Sequence, residues 1–355
     1  MKVFEYDASA SPRTWGQAHG EAFRPMIAEL ARIRLELCVT IGGFDSEDEV
    51  LALARAHGPV VAEFDADLSE ELRGIAEGAA IDLGRLIVLN HYTDIRDIRA
   101  STLRTESAAS EECSAVYART GDRPVLGQTW DMHGSAEPYV LMLGIPARDS
   151  APAAWVFSIT GCVGMTGLNG AGVGITINNL KSTDAQVGIV WPALVRRALQ
   201  ETSAVGARDV VLEAPLGSGH HYLVADAAGA YGIETSGTVR ALMYHGKEPQ
   251  YVHTNHCIDP VAAARNVVSA TSTTKFRYDT LETSLASSPI ESRADLFARL
   301  GDHTGYPRSV CTHMASPEAP HAMKTCGGLV MDLEGRDVWA AAGCLHRARP
   351  HTFGF

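Results

Sequence analysis

Three short stretches of this chain carry residue types that do chemistry. Cys113 lies in Glu111-Glu112-Cys113-Ser114-Ala115-Val116-Tyr117, Gly127-Gln128-Thr129-Trp130-Asp131 follows, and His253-Thr254-Asn255-His256 comes much later. A thiol at the head of a strand is a candidate nucleophile; the competing reading is a small buried hydrophobe. Asp131 stands 18 residues after Cys113. Two strands of about six or seven residues and a turn return a chain to its start, so this spacing can set Asp131 beside Cys113. An Asp ending a strand is otherwise a turn residue. Trp130 reads as core or as pocket wall. His245, His253 and His256 suggest a second chemistry, a zinc-dependent hydrolase with Glu234 or Asp259 joining them, but no HExxH occurs. Cys311 and His313 suggest a third, an ordinary Cys–His nucleophile pair, because alternate residues of a strand share a face.

The elements that must position these residues fall into two regimes. Residues 13 to 100 read as helices, with Ile27, Leu30, Ile33 and Leu37 at helical spacing. Ser46-x-x-Glu49 opens a helix that His57-Gly58-Pro59 stops, and further helices are expected from Ser69 to Gly78 and from Leu83 to Tyr92. Ala100 to Ser110 has no periodicity and reads as an exposed loop. From Cys113 the period becomes two, predicting strands over 113–119, 124–130, 138–144, 154–160 and 171–178. Helices are expected over 192–202 and 207–212, then a hairpin of Tyr222–Asp226 with Tyr231–Glu234. Helical segments near 260–269, 275–285 and 291–300 precede a last hairpin, Leu329–Asp332 with Val338–Ala340. Two blocks of strands with helices before, between and after predict an α+β sandwich.

Composition narrows the function classes. The 355 residues, 46% of them hydrophobic, suffice for a sizeable core. A net charge of −12 disfavours nucleic acid or an anionic membrane as partner. The acidic start, Met1 to Asp7, is unlike a signal peptide, and apolar runs fall short of the ~18 residues of a membrane span. Seven scattered cysteines without a CxxC pair point to neither a disulfide framework nor a zinc knuckle. A soluble protein of a reducing cytoplasm, with no cofactor and no metal, is the expectation.

The order Cys113-Ser114, Gly127-Gln128-Thr129-Trp130-Asp131 and His253-Thr254-Asn255-His256 resembles the acyl-CoA:6-aminopenicillanic acid acyltransferase family of N-terminal nucleophile (Ntn) hydrolases. Glu71-Leu72-Arg73-Gly74-Ile75-Ala76-Glu77-Gly78 and Gly167 to Asn178 are similar to further segments of that family. The resemblance implies a four-layer αββα sandwich. It implies a precursor that cuts itself between Glu112 and Cys113 into an α fragment, 1–112, and a β fragment, 113–355, which stay in one compact domain. The new N-terminal Cys113 would form thioester acyl-enzymes, its own α-amine serving as base at neutral pH. Asp131 would hold that amine, Asn255 would donate to the oxyanion, and Trp130 and Asn169 would line the substrate pocket. The implied activity is that of an N-terminal cysteine amidohydrolase or N-acyltransferase. Its substrate is a linear amide of a small N-acylated amine or amino acid, with water, an amine or an acyl-CoA as the other reactant. The sequence departs from the family pattern at Glu112, where Gly is frequent, and at Thr312, where Arg is; Arg308 is the nearest replacement cation. A non-catalytic small-molecule-binding protein is the other class compatible with the fold.

Overall fold

The structure, a computed structural model, describes residues 1–103, 112–121, 123–246 and 249–355. A first strand, β1 (Lys2–Glu5), precedes six helices: α1 (Pro12–Ala22), α2 (Arg24–Thr40), α3 (Glu47–Ala56), α4 (Gly58–Phe64), α5 (Ala66–Ala79) and α6 (Leu83–Leu103). Strands then dominate: β2 (Glu112–Thr120), β3 (Arg123–His133), β4 (Val140–Ile145), β5 (Ala154–Ile159), β6 (Thr166–Asn169) and β7 (Gly174–Leu180). Helices α7 (Trp191–Ala198) and α8 (Ala204–Glu213) lead to β8 (Gly219–Ala225), β9 (Ala230–Thr235), β10 (Arg240–Gly246) and β11 (Gln250–His253). Helices α9 (Pro260–Ala263), α10 (Thr274–Ser287) and α11 (Arg293–Leu300) precede β12 (Met323–Asp332), β13 (Asp337–Ala342) and β14 (His351–Gly354).

The strands form two sheets. One has eight strands in the order β1-β4-β5-β6-β7-β8-β9-β10, the other six in the order β11-β2-β3-β12-β13-β14. All neighbours are antiparallel except β1 and β4. The sheets meet face to face. Cys113, Ala115, Tyr117 and Trp130 of the smaller sheet share a core with Phe157, Ile175 and Ile177 of the larger. The other face of the smaller sheet buries Val116, Ala118 and Val125 against Leu281 and Leu285 of α10 and Leu296 and Leu300 of α11. The N-terminal helices cover the outside of the larger sheet, where Ile27 and Leu89 close over Gly161. Four layers result, as the sequence resemblance implies.

Several expectations are corrected. Pro59 stops one helix but begins the next, α4, because proline fits a first helical turn. The first residues of the loop expected over Ala100 to Ser110 are helical instead, since α6 continues to Leu103; the rest of that stretch, 104–110, lies outside the described residues. The strand expected over 171–178 is the second half of a hairpin, with β6 before it and β7 running on to Leu180. The long helix near 260–269 shrinks to one turn, α9. Helices α1 and α5 cross so closely that a methyl group on Gly16 would overlap the Glu71 carbonyl and one on Gly74 the Arg13 carbonyl. The glycines that the sequence places there are thus a packing requirement.

Candidate active site

Strand β2 begins at Glu112, so the Glu112–Cys113 peptide lies within it. Across to β3, Glu112 faces Asp131 and Cys113 faces Trp130. Strand alternation sends the side chains of Cys113 and Trp130 toward the larger sheet, and those of Glu112, Ser114, Thr129 and Asp131 toward α10. On the opposite edge β11 pairs with β2 only as far as Ala115 opposite His253. Extending that register by two residues sets Asn255 opposite Cys113.

Beyond the end of β11, side chains take over from the ladder. The Cys113 N–H donates to Asn255 Oδ1 at 2.8 Å. The Cys113 carbonyl accepts from Arg277 Nη1 at 2.7 Å and from Asn178 Nδ2 at 3.1 Å. Arg277, in the first turn of α10, also donates to Ser114 Oγ (2.8 Å), Asn255 Oδ1 (2.9 Å) and Glu112 Oε2 (2.9 Å). Asn255 Nδ2 donates to the Asn179 carbonyl at 2.9 Å. Two donors on Oδ1 and one acceptor on Nδ2 fix which way this amide points. Among the described residues one amide hydrogen is used in this way, which leaves the second for another acceptor.

The carboxylate of Glu112 is fully buried with Arg277. It accepts from the Thr273 N–H and hydroxyl and from Ser272 Oγ, so it sits at the N-terminus of α10, where the helix dipole favours an anion. Burial pushes its pKa up, but Arg277 and these hydrogen bonds outweigh burial and hold it below the usual value. The departure from Gly at this position is therefore a structural ion pair directed away from the thiol.

Cys113 is only 6% exposed. Burial, then the charge of Asp131, pushes its thiol up to about 12. Asp131 itself is pushed up to about 7 by burial, although Arg277 and the Thr325 hydroxyl, which donates at 2.7 Å, favour its anion. The Asp131 side chain and the Cys113 thiol point to opposite faces of the sheet, and the carboxylate accepts from the hydroxyls of Thr325 and Thr129. Gln128 joins the two sheets: its amide donates to the Ile177 carbonyl and accepts from the Ile177 N–H.

The structure thus gathers Cys113, Asp131, Asn255 and Trp130. Trp130, with Met132, Cys162, Met165 and Trp191, lines a small internal cavity. Asn169 is not part of this group. Its amide donates to the carbonyls of Leu199 and Glu201 and accepts from the N–H groups of Ala171 and Val173, so every polar valence holds loop backbone. The pocket role expected for it is withdrawn. Thr312 is buried and bonded to Thr325 and Pro307, and Arg308 reaches the Thr271 carbonyl. The guanidinium at Cys113 is that of Arg277 instead.

His253 has one ring nitrogen on Glu234 and the other on the Thr254 carbonyl, and His256 lies against Thr274. Among the described residues, the group of ligand atoms close enough to hold a metal ion does not include His245, His253 or His256. The zinc-hydrolase alternative built on these three is corrected accordingly. Sequence reading missed Arg277, Asn178 and Gln128. Asn178 and Gln128 lie within motifs already singled out, while Arg277, in an unremarkable helix, had no local signal.

Two sheets face to face between helical layers, with this cluster at the head of an inner strand, define an αββα sandwich of the Ntn-hydrolase type. More particularly, the chain belongs to the acyl-coenzyme A:6-aminopenicillanic acid acyl-transferase family, whose sequence profile matches residues 118–343. It is 27% identical, over 282 residues, to the acyl-coenzyme A:6-aminopenicillanic-acid-acyltransferase 40 kDa form of Emericella nidulans, spanning 77% of this chain and 74% of that one. Among solved structures it is similar to penicillin V acylase from Agrobacterium tumefaciens, with 13% identity, a TM-score of 0.42, and coverage of 68% of this chain and 84% of that one. It is also similar to a mutant form of conjugated bile acid hydrolase from Clostridium perfringens, with 10% identity, a TM-score of 0.44, and coverage of 68% of this chain and 97% of that one. The family makes this chain an enzyme of acyl transfer or amide hydrolysis.

Proposed function

We propose that the chain cuts itself between Glu112 and Cys113, and that the resulting N-terminal Cys113 cleaves or forms linear amides of a small N-acylated amine through a thioester. The observation that carries this reading is the treatment of the Cys113 backbone. A cysteine that merely fills a core has its N–H and C=O paired by neighbouring strands. Here Asn255, Arg277 and Asn178, brought from distant parts of the chain, bind both groups.

The steps follow from these positions. In the uncut chain the Cys113 nitrogen is an amide and no base. Attack of its thiol on the Glu112 carbonyl moves the acyl group from nitrogen to sulfur, and water then releases the Glu112 carboxylate and the free thiol. The new α-amine, titrating near ~7.7–8.0, takes the thiol proton and passes it to the leaving amine of a substrate. In this reading Asp131, opposite Glu112 on β3, holds the charge of that amine, and the second hydrogen of Asn255 Nδ2 serves the substrate oxyanion. The cavity beside Trp130 is the proposed place of the acyl group. The thioester then passes to water or to an amine acceptor.

Intact mass of the purified protein tests this reading. Two fragments, 1–112 and 113–355, are expected from the native sequence, and one inactive chain from Cys113→Ala. A cut, active Cys113→Ala protein would overturn both the cleavage and the nucleophile.

A further inference from the structure

Away from Cys113, four metal-binding side chains converge. His303, Cys311, His313 and Cys344 present one ligand atom each, all within 4.8 Å of one another. Cys311 Sγ lies 3.8 Å from Cys344 Sγ and 3.5 Å from His313 Nε2, and Cys344 Sγ lies 3.5 Å from His303 Nε2. A tetrahedral zinc ion with Zn–S of about 2.3 Å and Zn–N of about 2.0–2.1 Å has S···S edges of about 3.8 Å and S···N edges of about 3.5–3.6 Å. The three observed separations are those edges.

We propose that His303, Cys311, His313 and Cys344 bind a structural zinc ion, fastening the segment from Gly301 to His313 onto the turn that follows β13. Two thiolates and two neutral imidazoles balance the charge of Zn²⁺, and binding releases the two thiol protons to solvent. All four positions are filled by protein, so the site is a closed, structural one. The Cys311 N–H is anchored on the Asp302 carbonyl, and the His313 N–H on that of Pro307. Cys311 is buried while the other three ligands are half-buried, which leaves an entry path from the surface.

The same geometry speaks against the two other readings of these cysteines. The sulfur separation of 3.8 Å is far beyond a disulfide bond of about 2.0 Å. A Cys–His nucleophile pair leaves Cys344 and His303 unexplained. The expectation of no metal rested on the lack of a CxxC pair and of an HExxH motif, and on a chemistry at Cys113 that needs no metal. These ligands instead come as one Cys-x-His and two distant single residues, a spacing no local motif announces.

The ion would also reach the candidate active site indirectly. Thr312, between two of its ligands, donates its N–H to Thr325 Oγ1 at 2.8 Å, and Thr325 Oγ1 donates to Asp131. These two threonines are positioning residues; no ligand of the proposed ion touches Cys113.

The test is elemental analysis of the full chain purified with reductant, followed by removal of metal and titration with Co²⁺. One zinc per chain is expected, and Co²⁺ should give the visible bands of a tetrahedral site with thiolate-to-metal charge transfer in the near ultraviolet. Cys311→Ser and His303→Ala should lose the zinc, whereas Cys257→Ser and Cys113→Ala should keep it. Should the ligand variants fail to fold, the cobalt spectrum of the native chain decides alone. A reduced native chain that takes up neither metal overturns the proposal. So does zinc that persists in Cys311→Ser, or a native mass lower by two hydrogens from a Cys311–Cys344 disulfide.

Discussion

Asp131 is held where a carboxylate is disfavoured, and its position near pH 7 makes that measurable. A carboxyl raised on folding contributes stability that is complete below its unfolded value of ~3.9 and is lost as pH rises through the folded value. Uncut protein, obtained as Cys113→Ala, should therefore weaken between about pH 4 and pH 7. Asp131→Asn in that background should flatten the slope and raise stability at pH 8 relative to pH 5 by ~1–4 kcal/mol. Parallel urea-denaturation midpoints for the two proteins at pH 5 and pH 8 would show that Asp131 is not so strained. Glu112 has the opposite sign. Being depressed, it contributes stability above ~4.3 that disappears only as pH falls through its lower folded value. Its partner Arg277 is the more exposing test, because removing one member of a buried pair strands the other at ~3–5 kcal/mol. Arg277→Ala should cost about that much, and much less once Glu112→Gln is also present. A cycle in which the two losses simply add would mean that the pair is not coupled.

At the scale of elements, Gln128 of β3 helps tie the two sheets together by bonding both backbone groups of Ile177 in β7. Gln128→Leu keeps the bulk but strands a buried N–H and C=O, so a loss of ~2–4 kcal/mol is expected in equilibrium denaturation, with slower appearance of the two fragments. An unchanged midpoint would mean that water replaces the amide. Elements also mark the limit of what the sequence discloses. Period-two alternation located β2, β3, β5 and the last hairpin within a few residues, since each buries a face. It missed β11, four residues long, and the weakly patterned β10, three of whose seven residues are exposed. That omission hid the register that sets Asn255 opposite Cys113. Motif order singled out Cys113, Asp131 and Asn255, which lie near strand ends. Arg277 escaped because a helix that is almost evenly polar around its axis gives no sign of which side chain points inward. Asn169 misled for the reverse reason: a Gly/Asn-rich turn looks the same whether its amide meets a ligand or its own backbone.

At the scale of the whole molecule, the segment before Cys113 is part of the fold. Strand β1 occupies an edge of the larger sheet, pairing in parallel with β4, and Arg196 of α7 forms a buried ion pair with Glu71 of α5. Fragments 1–112 and 113–355 should therefore co-elute as one species in native size-exclusion chromatography and part only in denaturant. Separation under native conditions would contradict this interlocking. The clamp around Cys113 has a further consequence, for timing. Asn178, Asn255 and Arg277 leave the ribosome long after the bond they surround, and Thr325 later still. Any cut that depends on them must wait until nearly the whole chain is made and folded. The appearance of a free Cys113 amine would then report that assembly is complete, and a misfolded chain, never cut, would stay chemically silent.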